Sequence, residues 1–169
     1  IDELTVYARE SYEIGDIYQA GMSGKCAQPD CFPQPAGIVS WWTGNNTAED
    51  RMGNNDGQLV NSAGYNGGKV GDGFGFGAPA AHVLVPNSTS LNDALAGPFT
   101  WEAWIKITNT PPNAMIFTKE SDINNRISLE LFASGGTYGL RAYLDGNPVS
   151  TQPELHIPKN VFTHVALVV

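Results

Sequence analysis

The stretch FTWEAWIKI, residues 99–107, reads with a period of two. Phe99, Trp101, Ala103, Ile105 and Ile107 alternate with Thr100, Glu102, Trp104 and Lys106, as the residues of a β-strand alternate between its two faces. The first set reads as core. Working outward, GIVSWW, HVLVP, ISLELFA, YGLRAYL and FTHVALVV are further short strand candidates, separated by clusters of Gly, Asn, Asp and Pro. That succession is the pattern of an all-β sandwich or jelly roll. Ile127, Leu129 and Leu131 repeat the core alternation, and LDGNP, residues 144–148, carries the Asp-Gly signal of a tight hairpin turn.

Upstream of Gly37 the texture differs. IDELTVYARE, residues 1–10, places Ile1, Leu4 and Val6 among polar partners as a strand does. In SYEIGDIYQAG, residues 11–21, Ser11 is an N-cap candidate, Ile14, Ile17 and Tyr18 form an apolar stripe, and Gly21 ends it, so a short helix is expected near the N-terminus. Residues 21–37, GMSGKCAQPDCFPQPAG, are small, Pro-rich and unpatterned, which is how a linker reads. Cys26 and Cys31 lie within it, spaced as a small disulfide loop requires, and point to an oxidising compartment. A zinc site would want further ligands nearby, and His82, His156 and His164 show no ligand spacing.

A chain of 169 residues accommodates one domain and a fragment. A hydrophobic share of 41% against 15% charged residues describes a folded protein, and 19 Gly with 11 Pro call for many turns. The net charge of −8 with nine Lys and Arg excludes nucleic acid as a partner, because phosphate binding needs a basic footprint. The same balance disfavours anionic membrane surfaces, and no apolar run has membrane-spanning length, so no membrane insertion is expected. Acidity is compatible with calcium and with export, although a solvated acidic surface needs no ligand.

The segment from Ala36 to Ile107, AGIVSWWTGNN through FTWEAWIKI, resembles the laminin-G-like branch of the concanavalin A-like jelly-roll modules. The features that match are the Trp41, Trp42 opening, the AEDRMGNNDGQL loop, GGKVGDGFGF leading to VLVPNSTSLN, the strand with Glu102 and Trp104, and the strand with His164, Val165 and Ala166. The resemblance implies an all-β jelly-roll sandwich from a tandem-repeat exported bacterial protein, located outside the cell or on its surface. It implies that residues 1–21 are the closing strand and C-terminal helix of a preceding repeat, 22–36 a linker, and 37–169 a sandwich that is C-terminally incomplete. Where such modules carry an acidic segment, this chain has Phe76, Gly77, Ala78, Pro79, Ala80, Ala81 and His82, so carboxylate ligands are missing there.

Jelly-roll glucanases of this architecture place two carboxylates on one strand face as Glu-x-Asp-x-x-Glu. Glu102 and Glu130 each stand alone on their strands, and no other catalytic motif appears, so a non-enzymatic module is expected. GDGFGFG lacks the following helix of a nucleotide motif and reads as a Gly-rich turn into a strand. For metal, Asp50, Asn54, Asn55 and Asp56 form an oxygen-rich loop of the type calcium prefers, though turns favour the same residues. In the modules this chain resembles, a structural calcium lies where that loop meets the acidic pair of the closing strand, here Asp2 and Glu3. For glycans, Trp42 and Trp104 with Glu102 are the candidate platform, since pyranose rings stack on exposed aromatics beside polar donors. The competing reading puts these aromatics in the core. Asn45 and Asn87 head glycosylation sequons. The expected function is extracellular binding or adhesion, with glycans or other surface proteins as partners. The alternative is a filament subunit that donates IDELTVYA to a neighbouring copy to cover the apolar edge HVALVV.

Overall fold

The computed structural model describes residues 1–8, 35–109, 113–121, 125–152 and 156–169. The helix expected over 11–21, the linker, and Cys26 and Cys31 lie outside them. Twelve strands and one helix are described: β1 Asp2–Tyr7, β2 Ile38–Trp42, β3 Gln58–Val60, β4 Gly64–Gly67, β5 Asp72–Gly75, β6 His82–Leu84, α1 Thr89–Ala94, β7 Thr100–Ile105, β8 Asn113–Glu120, β9 Arg126–Ser134, β10 Thr137–Leu144, β11 Asn147–Gln152 and β12 Thr163–Val168. The chain forms two compact units, one of residues Ile1–Ile105 with His164–Val169 and one of Lys106–Thr163.

The first unit is built on the sheet β12-β7-β1-β2. Its strand β7 lies inside that sheet, and all six of its residues are buried, which explains a run carrying two tryptophans and no small polar break. Phe99, Trp101, Ala103 and Ile105 are each under 5% exposed, as the alternation requires. Burying a side chain of that class contributes about 1.5 to 3 kcal/mol, so this strand alone supplies a large share of the unit's driving force.

The opening strand β1 is not at an edge. It pairs antiparallel with β2, placing Leu4 against Trp42 and Thr5 against Trp41, and antiparallel with β7, placing Thr5 against Glu102 and Val6 against Trp101. The strand that the resemblance assigns to a preceding repeat therefore sits between two strands of this chain. Its register against β7 shifts between Asp2 and Thr5, where Glu3 has a φ of 54°, so the left-handed residue re-aims the side chains around it. Small ribbons β3-β6 and β4-β5 complete the unit, and Ile1 docks on the second by bonds in both directions to the backbone of Phe74.

One helix was not anticipated. Ser88 caps α1 by accepting from the backbone N–H of Leu91, and Leu91 and Ala94 are its buried residues. At six residues it is one short stretch of apolar pattern, easily read as loop.

The second unit is an antiparallel meander, β11-β10-β9-β8. Its two tight turns have positive φ at both central residues: Gly135 and Gly136 at 56° and 87°, Asp145 and Gly146 at 49° and 72°. Those are the conformations that two-residue hairpins demand, and the Asp-Gly turn is where the sequence placed it. Leu129 opposite Ala142 and Leu131 opposite Leu140 form the apolar face, while Ser128 opposite Tyr143 and Glu130 opposite Arg141 form the other.

Candidate binding site

The oxygen-rich loop after β2 is organised by Asp50, which is buried. Its Oδ1 accepts the backbone N–H of Trp41 at 2.8 Å and of Met52 at 3.0 Å, and its Oδ2 accepts that of Asn55 at 3.1 Å. The backbone N–H of Asp50 in turn donates to Asp56 Oδ1 at 2.9 Å, and Asn54 donates to the carbonyl of Met52 at 3.1 Å. Three N–H dipoles thus point their positive ends at the carboxylate. Both oxygens of Asp50 are already engaged by the protein's own amides. Asp50 acts as the loop's own anchor.

Asn55, buried next to it, is a hub. Its amide donates to Ser40 Oγ at 2.7 Å, its side-chain oxygen accepts from the hydroxyls of Ser88 and Ser90, and its backbone carbonyl takes the indole N–H of Trp42 at 2.8 Å. This ties β2 to the cap of α1. The dense run of Asn and Asp signalled a turn, but the partners Ser88 and Ser90 come from about 35 residues away.

The acidic pair on β1 is placed differently from a shared metal site. Asp2 is fully buried, and its Oδ2 accepts the backbone N–H groups of Lys69 at 2.7 Å and Val70 at 2.9 Å. Burial raises its pKa above the ordinary 3.8, against the pull of those two amides. Glu3 accepts from Trp41 Nε1 at 3.0 Å. The closing strand and the Asp50 loop do meet, but through Trp41, whose backbone serves Asp50 and whose indole serves Glu3. Among the described residues, no group of three or more His, Cys, Asp or Glu side chains is arranged to hold a metal ion.

The expected glycan platform is closed. Trp42 and Trp104 are 4% and 5% exposed, and Trp41 and Trp101 are buried as well, so neither tryptophan pair offers a ring to solvent. The physical reason is position: β7 runs inside its sheet with both faces covered, so a side chain that leaves one buried face enters another. Trp104 packs against His164, ring centroids 5.1 Å apart, with Lys69 Nζ 5.0 Å from the centroid of its ring. Glu102, 1% exposed, receives the Tyr7 hydroxyl at 2.6 Å and has His164 Nε2 at 3.3 Å. A carboxylate that receives a phenol hydroxyl and has an imidazole against it, away from solvent, links β1, β7 and β12.

In the second unit a polar and aromatic cluster lies across β9 and β10, over the buried residues Ser128, Glu130 and Phe132. Arg126 lies over the ring of Tyr143, Cζ to centroid 4.3 Å, and Arg141 over that of Phe132 at 4.6 Å. Arg126 Nη2 is 3.3 Å from Glu130 Oε1, which also accepts from Ser128 Oγ at 3.3 Å, and Arg141 Nη1 donates to Tyr143 Oη at 3.2 Å. Arg141 and Tyr143 on β10 are half-buried, and Met115 and Thr118, two strands away on β8, are exposed. Sequence reasoning noted Glu130 but not its partners. The alternation of YGLRAYL held the signal, since Arg141 and Tyr143 share a face opposite Leu140 and Ala142.

A family model described as concanavalin A-like lectin/glucanases superfamily, the third laminin-G type, matches residues 76–169, more than half of the chain. No curated protein and no solved structure matches. Residues 37–75, which also carry the resemblance read from the sequence, lie outside the matched span.

Proposed function

Because the chain belongs to the concanavalin A-like lectin/glucanase superfamily, with the all-β jelly-roll class that membership entails, we propose that it is a non-enzymatic, glycan-binding module of an extracellular or surface-attached protein. The observation that carries the non-enzymatic part is Glu102. Hydrolysis by the two-carboxylate route needs an acid and a nucleophile or base flanking the glycosidic bond, both reachable by substrate. Glu102 is buried and held by Tyr7 and His164, and its strand offers no second carboxylate. Support for glycan binding is the superfamily and a sheet face that combines aromatic rings, guanidinium groups and hydroxyls.

The test is a glycan array probed with the labelled protein, coupled to a reducing-end assay on every glycan that binds. Saturable binding without accumulation of reducing ends is expected. Time-dependent release of reducing ends would defeat the non-enzymatic part, and an array without a single saturable hit would defeat the glycan part.

A further inference from the structure

We infer that the β9–β10 face carries a carboxylate-recognition site centred on Arg141, and that the glycans it selects are acidic ones bearing uronate groups. This rests on the glycan-binding reading above and narrows it to a ligand class and a residue. Four observations converge on it.

Arg141 is preorganised. Its guanidinium lies over Phe132 at 4.6 Å and donates to Tyr143 Oη at 3.2 Å, so two contacts fix a side chain that is ordinarily one of the most mobile. Tyr143 is itself fixed, because Arg126 covers its ring at 4.3 Å. The charge of Arg141 is not neutralised: among the described residues no carboxylate lies within ion-pair distance of it. Glu130, its cross-strand partner, is engaged by Arg126 at 3.3 Å and by Ser128, and exposed Glu120 stands opposite Arg126, not Arg141. Among the described residues Arg126 thus takes the local carboxylate, and no other carboxylate takes the Arg141 fork.

Composition sharpens the point. The net charge of −8 opposes polyanions over the chain as a whole, but two of its four arginines share this face, so an attraction for a carboxylate is local to it. A guanidinium with free N–H donors in a planar fork matches a carboxylate in two parallel bonds, and holding it still before binding removes the ordering cost. Half-buried Tyr143 supplies a hydroxyl beside the carboxylate, and exposed Thr118, two strands away on β8, supplies one for a following sugar, which favours a uronate glycan over an acidic peptide.

The experiment is isothermal titration calorimetry of the whole chain with oligogalacturonate, oligoglucuronate and oligomannuronate, each beside its carboxyl-reduced neutral counterpart, and with an oligoglutamate peptide. At least one uronate is expected to bind tenfold or more tightly than its neutral counterpart. Arg141→Gln should abolish that preference while leaving the residual affinity for the neutral sugar. Tyr143→Phe, which removes only the hydroxyl that orients Arg141, should weaken the preference several-fold; it serves if Arg141→Gln fails to fold. Arg51→Gln, an exposed arginine in the other unit, should change nothing. Equal affinity for acidic and neutral sugars, or an unchanged preference in Arg141→Gln, overturns the inference and leaves the glycan reading standing. Tighter binding of oligoglutamate than of any uronate overturns it in favour of a protein ligand. Silence from every sugar, together with an empty glycan array, removes the wider reading as well.

Discussion

Asp50 gives the sharpest energetic forecast in the molecule. Its two carboxylate oxygens accept three backbone N–H groups, from Trp41, Met52 and Asn55, and both Trp41 and Asn55 are buried. A hydrogen bond to a charged acceptor contributes about 1.5 to 3 kcal/mol, and a buried donor left without a partner costs about 1 to 3 kcal/mol. Asp50→Ala removes the acceptor from all three donors and is expected to destabilise by about 4 to 5 kcal/mol, most of the stability of a marginal domain. Asp50→Asn is the more telling variant. Its single oxygen can stay with Trp41 and Met52, but its NH2 then faces the N–H of Asn55, so one bond is lost and one buried donor is stranded. The expected cost is about 2 to 3 kcal/mol. Equilibrium unfolding in urea, with an m value near 2 kcal/mol/M, would show this as a fall in midpoint of roughly 1 M at unchanged slope. If Asp50→Asn unfolds within about 0.3 M of the wild type, the carboxylate is not the loop's anchor and the reasoning fails.

Three further outcomes follow from the same structure. Asp2 has a raised pKa because it is buried, so the folded state prefers its protonated form; its contribution is fully present below the ordinary 3.8 and is lost as pH rises through the folded value. Relative to Asp2→Asn, the wild type should therefore lose stability as pH climbs above 3.8, and a difference that stays flat with pH in paired urea titrations would contradict the shift. Gly44 has a φ of 72°, and a Cβ there would meet the backbone of Gly73 at 2.9 Å, so Gly44→Ala should lower the melting temperature by several degrees for a cost of about 1 to 3 kcal/mol, and an unshifted melt would refute the contact. Thermal melts with and without a calcium chelator should coincide, since the Asp50 oxygens face N–H donors; a midpoint that drops on chelation would show a bound ion stabilising the fold.

Much of the scaffold was legible because its signals are local. The alternation of residues 99–107 carries its own evidence for a strand, and Asp145-Gly146 specifies a tight hairpin without outside help. Strands β3, β4, β5, β8 and β11 escaped; β3 to β5 are only three or four residues long, which holds too little alternating pattern to separate from turn. The site was harder for a different reason. Alternation says that Trp104 and Glu102 leave the face of Trp101, but not whether the face they enter is covered, and here it is. Asp50 and Asp56 looked like ligands because a cation and a backbone amide want the same oxygens; only the direction of the N–H groups separates the two roles. Alternation puts Arg141 and Tyr143 on one face, but only the register of β9 and β10 brings Phe132 and Glu130 beside them.

The most direct test of the account is to follow one glycan that binds, measuring affinity and cleavage on the same sample. Saturable binding, with reducing ends at the level of a protein-free control after prolonged incubation, is the expected result. Catalytic turnover that Glu102→Gln abolishes would contradict it, because it would make a working acid of the carboxylate that Tyr7 and His164 hold in the sheet.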